Sequence, residues 1–105
     1  TITQTYLNYV GSITIDKTLL EETGMLVGEK VEVFDIDNGS RFETYIFEGK
    51  PGSGIIGVNG AAARLVHKGD KVIIVNYALL NDEERKNHKP VVVIVDEKNK
   101  IETQI

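Results

Sequence analysis

The sequence predicts a mainly β domain whose strands close as a pseudo-twofold barrel with short helices. Three observations point there. Short runs rich in β-branched and aromatic residues recur over 30–35, 41–48, 55–58, 71–77 and 91–95. Turn signals separate them, above all Asp37-Asn38-Gly39-Ser40 and Lys50-Pro51-Gly52-Ser53-Gly54. A weak internal repeat sets Gly28-Glu29-Lys30-Val31-Glu32-Val33 against Gly69-Asp70-Lys71-Val72-Ile73-Ile74, each copy following a short helix and opening a strand. Two copies of one helix–loop–strand unit suit a barrel better than a sandwich. Chance is the alternative source of the match, since Gly-acid-Lys commonly begins a strand.

Taken in order, Tyr6 to Ile15 reads as extended, broken at Gly11-Ser12. Asp16 is placed to cap a helix over Lys17–Thr23, which Gly24 ends. Lys30 to Asp35 alternates as a strand, and Asn38-Gly39 turns the chain so that Arg41 to Glu48 returns as its partner. Ile55 to Val58 is a short strand, Asn59-Gly60 leads into a small helix over Ala61–Val66, and Lys71 to Tyr77 reads as a buried strand. Asn81 to Asn87 is a polar helical turn. Val91 to Val95 is the most apolar strand, and Asp96 to Lys100 is a turn.

Size and composition limit the possibilities. At 105 residues, with no linker or composition shift, the chain makes one domain, 1–105, with one modest core. A net charge of −4 argues against a general nucleic-acid or acidic-membrane surface. No apolar run is long enough to span a bilayer and no signal peptide is visible. The chain has no cysteine, which removes disulfides and thiolate metal sites and weakly favours the cytoplasm. His67 and His88 lack a metal-ligand spacing, so no metal is expected.

Of the Gly-Ser pairs at 11, 39 and 52, only Gly11-Ser12 falls inside a strand pattern, Tyr9-Val10-Gly11-Ser12-Ile13-Thr14-Ile15. Glycine there marks a bulge or a close backbone approach. It also permits chemistry. The Ser12 hydroxyl can add to the Gly11 carbonyl and turn the amide into an ester. Elimination then leaves a dehydroalanine, and hydrolysis of that gives a pyruvoyl group and ammonia. Glycine offers no Cβ to obstruct the attack. The developing oxyanion needs donors, from Thr44 or from backbone N–H groups. A simple strand bulge is the competing explanation.

Two further segments carry candidate groups. In Arg41-Phe42-Glu43-Thr44-Tyr45, strand alternation puts Arg41 and Tyr45 on one face and Thr44 on the other. Arg41 is suited to grip a carboxylate and Tyr45 to donate a proton, unless the segment is simply a solvated hairpin. Bringing Thr44 to the same site requires a bulge or a subunit boundary. In Val58-Asn59-Gly60-Ala61-Ala62-Ala63-Arg64, small residues at a helix start allow close approach, and free N–H groups suit an anion or oxyanion. An ordinary capped helix explains the same residues.

Together these segments resemble the aspartate 1-decarboxylase family, the pyruvoyl-dependent lyases that make β-alanine for pantothenate. The resemblance runs over nearly the whole chain. It rests on Leu7-Asn8-Tyr9-Val10-Gly11-Ser12-Ile13-Thr14-Ile15-Asp16, Asn38-Gly39-Ser40-Arg41-Phe42-Glu43-Thr44-Tyr45, Val58-Asn59-Gly60-Ala61-Ala62-Ala63 and Gly69-Asp70-Lys71-Val72-Ile73-Ile74, in that order. It implies a double-psi β-barrel and a cytoplasmic homotetramer with active sites between subunits. Self-cleavage at Gly11-Ser12 would give a β-chain ending at Gly11 and an α-chain of 12–105, with the pyruvoyl group derived from Ser12 as the only cofactor. By the same resemblance Thr44 assists cleavage, Arg41 binds a carboxylate of L-aspartate and Tyr45 reprotonates the product carbon. Asn59, Gly60, Ala61 and Ala62 line the substrate pocket, and Tyr9 lies beside the cleavage site. A first strand bearing a substrate-binding lysine is expected ahead of Thr1. The resemblance leaves open whether a maturation factor takes part. Two other readings of the chain are a non-catalytic β-barrel binding or assembly module and a pyruvoyl decarboxylase for another acidic amino acid.

Overall fold

The computed structural model describes residues 1–105. It is mainly β. The strands are β1 (Gln4–Tyr6), β2 (Ser12–Asp16), β3 (Lys30–Asp35), β4 (Arg41–Gly49), β5 (Ile56–Asn59), β6 (Val72–Val75), β7 (Val93–Val95) and β8 (Ile101–Gln104). Two short α-helices, α1 (Lys17–Thr23) and α2 (Asp82–Asn87), and a 3₁₀ helix over Gly60–Arg64 complete it. No helix is long and apolar enough to cross a membrane.

Six strands form one sheet in the order β1-β5-β2-β4-β3-β6, and β7 and β8 form a separate hairpin. β2 runs parallel to β4 and antiparallel to β5, and β1 runs parallel to β5. The residues flanking the two edge strands meet. Ile2 N–H donates to the Asp70 carbonyl at 2.8 Å, and Gly69 N–H donates to the Ile2 carbonyl at 2.8 Å. These bonds tie the chain before β1 to the chain before β6.

The core is aliphatic and comes from one side of the sheet. Ile13 and Ile15 of β2, Val31 and Val33 of β3, Ile46 of β4, and Ile56 and Val58 of β5 are buried with Leu19 and Leu20 of α1. Each such side chain contributes roughly 1.5–3 kcal/mol of burial. Alternation along β2, β3 and β5 puts these residues on one face, so the register is strongly specified.

Asp16 joins three parts of this fold. One carboxylate oxygen accepts from Thr18 N–H at 2.8 Å, capping α1, and from Gly52 N–H at 2.9 Å. The other accepts from Gly54 N–H at 2.8 Å. Burial opposes ionisation, but the N–H donors of Gly54, Thr18 and Gly52 outweigh it and hold the carboxyl below its usual range. α1 ends as expected at Gly24, whose left-handed φ of 78° lets its N–H close on the Leu20 carbonyl.

Several boundaries differ from expectation. The break in the first extended run covers 7–11, because β1 stops at Tyr6 and β2 starts at Ser12. β6 is shorter than the expected 71–77 strand and only partly buried. It lies at a sheet edge, and Ile73 is 48% exposed. The apolar run at 91–95 yields strand only over Val93–Val95, and Ile94 is 43% exposed. Its partner is β8, a strand the sequence pattern did not reveal, and the two form a hairpin outside the main sheet.

At the end of β3, Asp35, Asp37 and Asp70 bring carboxylate oxygens within 4.8 Å of one another. Burial and the neighbouring Asp70 carboxyl push Asp35 up. One Asp35 oxygen accepts from Asp37 and Asn38 N–H, while the other is buried without a hydrogen-bond partner. The neighbouring Asp35 carboxyl and His67 N–H hold Asp70 low.

Because the Asp16 pKa is depressed in the fold, its stabilisation is complete above the unfolded value, about 3.9, and is lost as pH falls through the folded value. Asp16→Asn should therefore cost roughly 1–3 kcal/mol at pH 7. Its loss of stability on acidification should be shallower than that of the parent chain, as urea denaturation at pH 7 and pH 3 would measure.

Candidate functional site

The candidate residues converge on the start of β2 and the end of β5. Ser12 and Asn59 are register partners, and both side chains are buried. Ser12 Oγ–H donates to the Val10 carbonyl at 3.2 Å, two residues back along its own chain. Asn59 Nδ2–H donates to Ser12 Oγ at 3.0 Å and to Thr14 Oγ1 at 3.1 Å. Asn59 also occupies the position before the 3₁₀ helix, where an asparagine would ordinarily cap it. Here its side chain makes no cap bond and turns across to β2 instead.

Two glycines set the backbone around this point. Gly60 has a φ of +80°, and a Cβ on it would stand 2.7 Å from Gly11 Cα and 2.9 Å from Gly11 N. A side chain at 60 would thus push on the backbone of Gly11. Gly11 is different. Its φ is outside the left-handed region, and a Cβ there would meet nothing within 4 Å. The tight approach is a requirement on Gly60, while the space around Gly11 is open. Tyr9, exposed, packs edge-on against Tyr6 with ring centroids 5.4 Å apart.

β4 presents the second group of candidates. Ile13 pairs with Ile46, so Ser12 and Tyr45 stand one residue earlier in two adjacent parallel strands. Tyr45 is 37% exposed and packs edge-on against Phe47 at 5.5 Å. The β3–β4 register runs unbroken from Lys30–Tyr45 to Phe34–Arg41. There is no bulge, so Thr44 shares the core-side face with Ile46 and Tyr45 takes the other. Arg41 lies about 13 Å along β4 from Tyr45 at the usual strand rise. Its guanidinium sits over the Phe34 ring at 3.9 Å. Within one chain, then, Ser12, Asn59 and Gly60 are brought together and Tyr45 stands alongside, with Thr44 one residue earlier on the other face of β4, whereas Arg41 lies further along that strand. Ala61 is exposed and Ala62 half-buried, on the 3₁₀ helix that follows Gly60.

Thr14 was missed in the sequence. Its signal was its place two residues after Ser12, on the same face of β2. A groove of about 1130 Å³ lies elsewhere, between β6 and the 88–97 segment, with Ile73, Val75, Tyr77, Val91 and Val93 among its walls. None of the candidate residues lines it.

A buried serine hydroxyl held beside its own preceding backbone, and backed by an amide donor, defines a site built around the main chain. Comparison with known proteins is specific. The family model for aspartate decarboxylase matches residues 1–102. The aspartate 1-decarboxylase of Bacillus velezensis is 56% identical over 105 residues, covering 100% of this chain and 83% of that protein. The aspartate 1-decarboxylase of Caldicellulosiruptor saccharolyticus is 60% identical over 101 residues, 96% of this chain and 79% of that protein. That of Clostridium beijerinckii is 58% identical over 101 residues, 96% and 82% respectively. The chain belongs to the aspartate decarboxylase family.

Gly60→Ala should lower stability by more than about 1 kcal/mol, because the methyl group meets the Gly11 backbone in a left-handed conformation. Gly39→Ala is the control. Gly39 has a φ of +77° but open space around it, so only the conformational cost remains. Denaturant midpoints of the two variants should separate the steric part from the dihedral part.

Proposed function

We propose that the chain decarboxylates L-aspartate to β-alanine and carbon dioxide with a pyruvoyl group that it makes by cleaving itself between Gly11 and Ser12. Family membership and the relatives' names support the reaction. The observation that carries the maturation step is the seat of Ser12, buried between the Val10 carbonyl and the Asn59 amide. The hydroxyl is one residue from the Gly11 carbonyl it attacks, and Gly11 has no side chain in the way.

The maturation balances. Ser12 Oγ bonds to the Gly11 carbonyl carbon, its proton leaves, and the C–N bond breaks to free the Ser12 amine. Loss of the Ser12 Cα proton then breaks the Cβ–Oγ bond, and Gly11 departs as a carboxylate. Hydrolysis of the dehydroalanine consumes one water and releases ammonia. Asn59 Nδ2–H faces the oxygen that becomes part of the leaving carboxylate and stabilises the charge as it forms.

A pyruvoyl group at position 12 would carry a methyl where the Ser12 Cβ stood and its ketone oxygen on the former Cα, with the Asn59 amide beside it. Such a group supplies an electron sink for breaking the carbon–carbon bond. The Arg41 guanidinium binds a substrate carboxylate through its planar fork, a necessary local cation on a chain of net charge −4. The Tyr45 phenol gives its proton to the carbon that has lost carbon dioxide. Gly60, Ala61 and Ala62 keep the pocket wall low enough for the substrate to approach.

Arg41 lies about 13 Å along β4 from Tyr45, the residue beside Ser12, so we assign it to the site of a neighbouring subunit, while Thr44, one residue before Tyr45, assists cleavage. Exposed apolar side chains on β6, β7 and the segment between them, including Ile73, Tyr77, Leu79 and Ile94, support assembly, for which we propose a cytoplasmic homotetramer. The hydrogen bonds from Ile2 to Asp70 and from Gly69 to Ile2, which draw the sheet edges together, support closure as a double-psi barrel.

Intact-mass spectrometry under denaturing conditions tests the central step. The parent chain should resolve into fragments 1–11 and 12–105, the larger with a pyruvoyl end. Ser12→Ala should stay whole and inactive, and cleavage of that variant at the same bond would refute the chemistry. Tyr45→Phe should mature normally yet lose roughly 10²–10⁴-fold in β-alanine production, the usual range for a lost general acid.

A further inference from the structure

We propose that Thr14 is a positioning residue for self-cleavage: its hydroxyl fixes the Asn59 amide so that an N–H, and not the amide oxygen, faces Ser12. The inference rests on the self-cleavage reading above.

Hydrogen-bond inventory around Ser12 carries it. The Ser12 hydroxyl proton is committed to the Val10 carbonyl. Ser12 Oγ can therefore only accept from Asn59, and Asn59 must present its nitrogen. That nitrogen carries two hydrogens. One goes to Ser12 Oγ at 3.0 Å and the other to Thr14 Oγ1 at 3.1 Å. Thr14 is half-buried, so its own O–H can turn outward while a lone pair faces Asn59. The arrangement follows from the ladder. Ser12 is opposite Asn59, and Thr14 is the diagonal neighbour on the same face. The residue opposite Thr14 is Gly57, which places no side chain of its own between them.

Without the Thr14 hydroxyl, the second N–H of a buried amide loses its acceptor. With one bond fewer holding the amide in this orientation, turning it over becomes easier. That turn puts the Asn59 oxygen against Ser12 and draws the serine proton away from Val10. The oxygen that must leave with Gly11 then faces an acceptor where a donor is needed. Thr14 touches neither the scissile bond nor the Gly11 carbonyl. It acts through Asn59.

The experiment follows fragment formation over time by denaturing intact-mass spectrometry in the parent chain, Thr14→Val, Thr14→Ser, Asn59→Ala and Thr14→Val/Asn59→Ala. Circular dichroism verifies that each variant is folded. Thr14→Val preserves shape but removes the acceptor and should slow cleavage about tenfold or more. Thr14→Ser restores the hydroxyl and should cleave at close to the parent rate. In the Asn59→Ala background, Thr14→Val should slow cleavage no further. Parent-like cleavage of Thr14→Val overturns the proposal. So does Thr14→Ser as slow as Thr14→Val, or an undiminished effect of Thr14→Val without Asn59. These results leave the self-cleavage reading standing. That reading fails instead if the parent chain never separates at Gly11/Ser12 or if Ser12→Ala does, and the proposal for Thr14 then fails with it.

Discussion

The carboxylate of Asp16 is the constraint on which the rest of the architecture depends. It closes β2, caps α1 and gathers the N–H groups of Gly52 and Gly54 from the loop between β4 and β5. β4 and β5 flank β2 in the sheet, so fixing their connecting loop on the end of β2 fixes all three strands in register. Ser12 lies four residues back along β2, about 13 Å from that anchor at the usual strand rise. The buried Ser12 hydroxyl at one end of a strand is thus located by a buried carboxylate at the other.

Between those ends, β2 has to satisfy two environments. Ile13 and Ile15 face an aliphatic core that accepts no polar group. Ser12 and Thr14 face the opposite way, and the only side-chain bonds among them run through Asn59. A slip of one residue would put the hydroxyls into the core and the isoleucines at the site, so hydrophobic burial enforces the placement of the chemistry. The same core makes the unbroken β3–β4 register consequential. Val31 and Val33 hold Thr44 and Phe42 on their side, which leaves Arg41 and Tyr45 facing outward.

Gly60 and Gly11 play different parts around the Gly11–Ser12 bond. Gly60 adopts a left-handed φ and lets the 3₁₀ helix start against the backbone of Gly11. Asn59, freed from capping that helix, supplies its amide to β2. Gly11 itself needs no unusual φ, and the space about it is open, as the proposed attack on its carbonyl would require.

Local signals determined a good deal by themselves. The Asp16 cap and the Gly24 stop delimited α1, and alternation delimited β3, because both depend on neighbours a few residues away. Gly11-Ser12 stood out for the same reason, as a glycine inside a β-branched run. Order along the chain and the identity of four segments were enough to indicate the family. The tertiary structure decided what depends on distant partners. The Val91–Val95 run was as apolar as a central strand, yet its partner is β8 and it lies outside the main sheet. Thr14 looked like an ordinary strand residue, and only the pairing of β2 with β5 put it on the Asn59 amide. Gly60, not Gly11, proved to be the sterically required glycine, since close approach is a property of two backbones 49 positions apart, from 60 − 11, and no single segment records it.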